Sequence, residues 1–228
     1  VAKNIGNRGD RPLAVRVRHA GRRKPSSTAW LARQLNDPYV AAARRHGYRS
    51  RAAFKLIELD DRFHVLRRGA RVVDLGCAPG GWTQVAVERV GPHGVVVGVD
   101  RAPTQAIAGA QLLCADLTET TALALVTAAL GGARADLVLS DMAPPTTGHA
   151  ATDHLRILAL AETAFDLAEQ LLAPGGAFIA KVFQGGAEGE LLARLKRAFA
   201  GVRHAKPPAS RAESAETYVV ATGFRGRD

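Results

Sequence analysis

Two rhythms of apolar and polar positions alternate along most of this chain: short apolar runs of strand length, and longer stretches with apolar residues at helical spacing. Val72, Val73 and Leu75 make the central strand, which runs into a turn containing Gly76, Gly80 and Gly81; Thr83 to Val90 then continues as a helix. The same rhythm predicts strands over Val95–Val99, Gln111–Cys114, Leu137–Ser140, Ala177–Phe183, Val202–Ala205 and Thr217–Thr222. Helices are expected over Thr152–Leu172, stopped by Pro174, Gly175 and Gly176, and over Glu188–Ala200. Ahead of the central strand, a helix capped by Ser27 or Thr28 passes Trp30, Leu31 and Leu35 and stops at Asn36, Asp37 and Pro38. A second spans Pro38–His46 and ends at Gly47; a third, capped by Ser50, spans Arg51–Phe63 with Ala53, Phe54, Leu56 and Ile57 inward. This alternation implies an α/β chain with a doubly wound, mostly parallel sheet of about seven strands, whose ligands bind at the carboxyl ends of the strands.

The turn after the central strand narrows the ligand. Glycine lets the backbone turn tightly and approach a small molecule closely. The dinucleotide fingerprint needs G-x-G-x-x-G, whereas here Gly76 is followed by three residues and then Gly80 and Gly81. Pro79, the last of those three, has no N–H to offer a pyrophosphate. A loop with few donors that begins beside Asp74 suits a ligand carrying a cation, such as S-adenosylmethionine, better than a dinucleotide; a dehydrogenase is disfavoured on this spacing. Asp74, Asp100, Asp116 and Asp141 each fall at or just past the carboxyl end of a different expected strand, so the fold should gather them on one rim. Asp100 stands where a carboxylate can accept hydrogen bonds from ribose hydroxyls, by analogy with nucleotide folds.

Charge adds a partner. Of the 31 lysines and arginines, 12 lie in residues 1–50 against Asp10 and Asp37 alone, and the rest of the chain carries 19 basic and 19 acidic residues. The whole excess of +10 therefore lies ahead of the core and reads as an electrostatic grip on nucleic acid rather than a solubilising tail. Residues 1–27, rich in Arg, Gly and Pro, read as a disordered basic arm, and residues 28–228 as one domain that includes Arg33, Arg44, Arg45, Arg49 and Arg51. No run of 18 apolar residues and no signal-peptide pattern occurs, so no membrane association is expected. Cys77 and Cys114 fit reduced thiols of a cytoplasmic protein and form no metal-ligand pattern; none of the 7 histidines has a triad or metal context. No heptads or large apolar face call for a dimer, so a monomer is expected.

Lys181 interrupts the apolar strand AFIAKVF, and a buried ammonium needs a partner. Asp141, at the end of the expected neighbouring strand, is the candidate; a purely structural ion pair is the competing reading. Trp82, Phe54 and Tyr218 could stack on a base or simply pack in the core.

At this point the sequence resembles the FtsJ-like family of ribosomal RNA large subunit methyltransferases, type E. The resemblance rests on PSSTAWLARQLNDPYV (25–40), SRAAFKLIE (50–58), VVDLGCAPGGW (72–82), SDMAP (140–144), LAPGGAFIAKVFQG (172–185) and SRAESAETYVVATGF (210–224), in that order. Cys77 stands where alanine is usual in that family, and the first 24 residues have no dependable counterpart. The resemblance implies a Rossmann-like methyltransferase fold, S-adenosyl-L-methionine as methyl donor, and 2′-O-methylation of a uridine of 23S rRNA in the large ribosomal subunit. It implies a catalytic tetrad of Lys55, Asp141, Lys181 and Glu216. It also implies a donor pocket lined by Gly80, Trp82, Asp100, Asp116 and Asp141, with Asp100 on the ribose, Asp116 on the adenine amino group and Asp141 near the methionine moiety. Lys181 is the candidate base: burial and Lys55 would lower its pKa while Asp141 and Glu216 would raise it, and the sequence leaves the balance open. A tRNA ribose remains an alternative substrate, and an RNA-binding assembly factor that does not need methyl transfer an alternative role.

Overall fold

The computed structural model describes residues 15–16, 21, 25–183 and 189–226. Most of the expected arm, together with Gln184, Gly185 and Glu188, lies outside them. Three helices lead in: α1 (Pro25–Leu35), α2 (Pro38–His46) and α3 (Ala53–Phe63). There follow β1 (Arg71–Leu75), α4 (Gly81–Val90), β2 (Val95–Asp100), β3 (Ala110–Cys114), α5 (Thr120–Ala129), β4 (Ala135–Ser140) and α6 (Ala150–Leu171). The chain closes with β5 (Leu172–Phe183), α7 (Gly189–Ala198), β6 (Phe199–Ala205) and β7 (Glu216–Phe224).

The strands form one seven-stranded sheet in the order β3-β2-β1-β4-β5-β7-β6. Pairing is parallel from β3 to β5, and β7 runs antiparallel to both β5 and β6. This is the doubly wound, Rossmann-like architecture that the alternation predicted. β1 lies at the centre with Val72, Val73 and Leu75 fully buried, because helices cover both faces of the sheet. One apolar layer is centred on Phe165 of α6, whose ring meets Phe178 at 5.7 Å and Phe199 at 6.2 Å. The other layer joins α3, α4 and the opposite sheet face through Leu56, Trp82, Val85, Leu139 and Tyr218.

Several boundaries move for local reasons. α1 begins at Pro25, ahead of Ser27, since proline at the first helical position forgoes only an N–H that has no partner there. α2 is capped as the sequence suggests: Asp37 accepts from Tyr39 N, and Gly47 takes the left-handed conformation at φ 75°. Ser50 does not cap α3 with its side chain; the N-cap is Ala52, and any Cβ at Gly81 would strike the Ser50 hydroxyl. β5 starts at Leu172 rather than Ala177, because Leu172 already pairs with Ala135 before a register irregularity leads to Leu137↔Ala177. Phe199 and Ala200 leave the expected last helix and open β6, where the Phe199 ring packs on Phe224 at 5.2 Å. α5 was not expected from periodicity, since TTALALVTAA offers little contrast between its faces. Within the expected arm, the Val15 backbone is tied at both its N–H and its carbonyl to the Asn36 side chain.

Replacing Phe165 by alanine removes the ring that ties α6 to β5 and β6. Urea unfolding should show a loss of about 3–5 kcal/mol, the usual cost of an aromatic deleted from a closed core.

Candidate active site

Strand register brings the charged residues together. Ser140 pairs with Ala180, so Asp141 emerges beside Lys181. On the other side of β5, Lys181 pairs with Tyr218 and Phe183 with Glu216. Side chains two apart on a strand share a face, which sets Glu216 and Tyr218 on the side where Lys181 points. Lys55 arrives from α3. The result is a compact group: Lys181 Nζ lies 2.9 Å from Asp141 Oδ1 and 3.5 Å from Glu216 Oε2, and Lys55 Nζ lies 2.8 Å from Glu216 Oε1 and 3.8 Å from Asp141 Oδ1. Lys181 also donates to the Asp141 carbonyl at 2.9 Å. Both lysines are 7 % exposed, so their charges stand on these contacts.

Electrostatics settles the question the sequence left open. Burial works against the Lys181 ammonium, but Asp141 and Glu216 outweigh it and raise the pKa above the usual lysine value. For Glu216, burial alone would favour the acid, yet Lys55 and Lys181 hold its pKa down at about 2. Lys181 is therefore a cation at rest. Its weakest contact, 3.5 Å to Glu216, is the one an incoming oxygen can replace most easily.

Two supporting residues were not singled out for these roles in the sequence. Tyr218 is fully buried and donates to Asp141 Oδ1 at 2.6 Å; burial pushes its phenol pKa well upward, so it remains a donor. Ser210, in the connection from β6 to β7, donates to Glu216 Oε1 at 2.8 Å. The alternation E-x-Y in β7 was the available signal for Tyr218, whereas nothing local marks Ser210.

Beside this group opens a cavity of about 950 Å³, at the upper end of the range for small-molecule sites. Its walls include Gly76 and Ala78 from the glycine loop, Asp100, Asp116 and Asp141 from three strand ends, and Met142 to Pro145 from the loop after β4. Asp100 accepts from Ala78 N at 3.0 Å and Ala102 N at 2.8 Å, and Asp116 is fixed by Thr118 N and Oγ1 at 2.9 Å and 2.7 Å. Each carboxylate keeps further acceptor capacity for a ligand's donors. Gly76 has φ 75°, and a Cβ there would strike Met142.

Gly80 and Trp82 are not among the cavity walls. Gly80, at φ 111°, is the N-cap of α4 beneath Ile107 and Arg49. Trp82 is 3 % exposed, donates from Nε1 to Ala52 O and packs on Tyr218 at 5.6 Å. Phe54 is likewise buried, against Tyr39 at 5.5 Å and Tyr48 at 5.8 Å. Asp74 is buried below the loop, where it accepts from Thr83 Oγ1 at 2.6 Å. Cys77 is buried and Cys114 exposed, both unbridged, and no cluster of metal-ligating side chains occurs among the described residues.

The glycine loop, the acidic strand ends and the buried lysine–carboxylate group thus meet at one cavity on the rim of a doubly wound sheet. The FtsJ-like methyltransferase family matches residues 48–224, and this chain belongs to it. Among its relatives, the ribosomal RNA large subunit methyltransferase E of Azorhizobium caulinodans is 61% identical over 219 residues, covering 95% of this chain and 91% of that protein. The protein of the same name from Paramagnetospirillum magneticum is 62% identical over 223 residues, covering 96% and 91%. A crystal structure from Plasmodium falciparum, described as a ribosomal RNA methyltransferase, superposes with a TM-score of 0.72 at 32% identity, over 79% of this chain and all of that one.

Burial pushes the Asp74 pKa up to about 7, helped by Asp141 and Asp100 and opposed by Thr83. An acid whose folded pKa exceeds its unfolded one contributes its stability below the unfolded value and loses it as pH rises to the folded value. Wild-type stability from this group should thus fall between about pH 4 and pH 7. In Asp74→Asn, which keeps an acceptor for Thr83, chemical unfolding at pH 5 and pH 8 should show that fall reduced.

Proposed function

We propose that this protein transfers a methyl group from S-adenosylmethionine to the ribose 2′-oxygen of a uridine in 23S rRNA, acting on the large ribosomal subunit. The observation that carries the reading is the group formed by Lys55, Asp141, Lys181 and Glu216 at the edge of the acidic cavity. The relatives' names support the ribosomal substrate.

The cavity suits the donor on its chemistry. Pro79 denies the loop one N–H, Asp100 and Asp116 offer acceptors for ribose hydroxyls and an amino group, and Asp141 adds negative charge for a cationic ligand. S-adenosylmethionine supplies, when bound, an electrophilic methyl on a sulfonium. Asp141 and Tyr218 hold Lys181 in one direction, and Lys181 grips the 2′-oxygen in place of its long contact to Glu216. In the fraction of molecules where Lys181 is neutral, its Nζ takes the 2′-hydroxyl proton. Lys55 neutralises Glu216 and lies over the Tyr218 ring at 5.7 Å, which holds Glu216 in place beside Lys181.

The substrate side agrees with a polyanion. Arg44, Arg45 and His46 are exposed in the last turn of α2, which packs on the helix that carries Lys55. Together with the basic residues of the arm they provide sequence-independent phosphate contacts. Among the described residues no helix is long and apolar enough to cross a membrane.

The reading is tested with labelled S-adenosylmethionine offered separately with undermodified large subunits, naked 23S rRNA and tRNA. Label on one uridine ribose of the large subunit is expected; label on tRNA alone would move the substrate, and no label on any RNA would defeat the reading. Lys181→Ala should lower kcat by about a hundredfold or more, the scale of a lost general base.

A pH series separates base from bystander. Because the carboxylates raise the Lys181 pKa, the neutral fraction grows with pH, and kcat should climb about tenfold per unit through the neutral range. Glu216→Gln removes one of the raising charges and should move that limb to lower pH. A flat profile in both proteins would remove Lys181 from the role of base.

A further inference from the structure

Arg49 lies in the basic N-terminal part of the chain, where a phosphate contact is the first expectation. The fold commits its guanidinium elsewhere. Nη1 donates to the Pro79 carbonyl at 3.2 Å and to the Gln105 carbonyl at 2.7 Å, and Nη2 donates to the Ala106 carbonyl at 2.7 Å. Its own backbone N–H donates to Gln84 Oε1 at 2.8 Å, and Gln84 Nε2 donates back to Gly47 O at 3.0 Å. Three segments far apart in sequence are joined by this one residue: the link between α2 and α3, the glycine loop after β1, and the connection from β2 to β3.

That last connection, residues 101–109, contains no helix or strand and is mostly exposed. It leaves directly from Asp100, and its first residues, Arg101 and Ala102, wall the cavity. Close to its start it is fixed by Ala102 N on Asp100 and by Thr104 Oγ1 on the Ala102 carbonyl. Farther along, Arg49 holds Gln105 and Ala106, while Ile107 rests its Cδ1 over Gly80. Ordering an exposed backbone costs conformational entropy at every residue, so a connection of this kind stays in one place only if something outside it holds it. Charge-assisted bonds from a planar guanidinium to adjacent carbonyls suit that task.

We propose that Arg49 is a positioning residue for the methyl-donor pocket: it straps the β2–β3 connection to the glycine loop and so pre-orders Asp100, Ala78 and Ala102 around the donor. Arg49 is not among the cavity walls and touches no reacting atom. Its guanidinium is occupied by three carbonyls and does not serve as an RNA anchor. This inference rests on the assignment of the cavity to the donor.

The test compares wild type with Arg49→Ala and Arg49→Lys. Calorimetric binding of S-adenosylmethionine and of S-adenosylhomocysteine to Arg49→Ala should weaken by about tenfold, the scale of losing bonds that pre-order a site. The KM for the donor should rise in step, with kcat at saturating donor within about twofold and the KM for RNA unchanged. Hydrogen exchange should quicken in residues 103–109 and stay slow in the sheet. Arg49→Lys, which keeps the charge but offers a single ammonium, should fall between the two, and it carries the comparison if the alanine variant does not fold. Unchanged donor binding would overturn the strap, as would a rise confined to the KM for RNA, which would make Arg49 a phosphate contact. A wild-type protein that methylates no RNA defeats the functional reading instead, whereas an active wild type with equal donor binding by both variants defeats only the strap.

Discussion

Two buried lysines and two partly buried carboxylates meet at the edge of the cavity, and the structure around them is arranged so that each faces an opposite charge. Ion pairs of this kind gain little over apolar packing, but losing one partner leaves a charge stranded. Asp141, Lys181 and Glu216 come from adjacent strands, β4, β5 and β7, and Lys55 from a helix laid over them. A one-residue slip of any of these strands would turn its side chain to the other face and strand the others. The reversed β7 is part of the same constraint, because antiparallel pairing places Glu216 at the end of β5 where Lys181 is.

The cavity depends on the same strand ends. Asp100 and Asp141 leave β2 and β4 on either side of the glycine loop, and Gly76 stays bare beneath Met142. Cavity and charge group are thus two sides of one rim, and Asp141 belongs to both. The N-terminal helices close the arrangement from outside. Arg51 pairs with Asp37 at 2.9 Å and donates to Ala209 at 2.7 Å, next to the Ser210 that holds Glu216. The basic region ahead of the core is therefore partly structural, with Arg49 and Arg51 bonded to backbone carbonyls of distant segments and Arg44 and Arg45 exposed.

Much of this was legible in the sequence because each signal was local. Short apolar runs with an aspartate at or just past their carboxyl ends marked β2, β3 and β4, and the glycines with Pro79 marked the loop after β1. Lys181 announced itself by interrupting an apolar strand, and its partner followed from the expected strand order. Where contrast between faces was weak, as in α5, periodicity gave no signal. Where packing overrode it, as at Phe199, the element changed type because the ring is better buried against Phe165 and Phe224 than left at the end of a helix.

By itself the sequence determined the class of fold, the position of the glycine loop and the pairing of Lys181 with Asp141, since these follow from spacing and residue type along a few turns of chain, whereas Lys55 and Glu216 entered only through the family resemblance. Only the tertiary structure decided what surrounds each side chain. It set Trp82 in the core rather than on the cavity wall, turned Ser50 from a cap to a neighbour of Gly81, and gave Arg49 three carbonyls to hold. It also decided that Lys181 rests as a cation, because the balance between burial and two carboxylates depends on distances of about 3 Å between residues far apart in sequence.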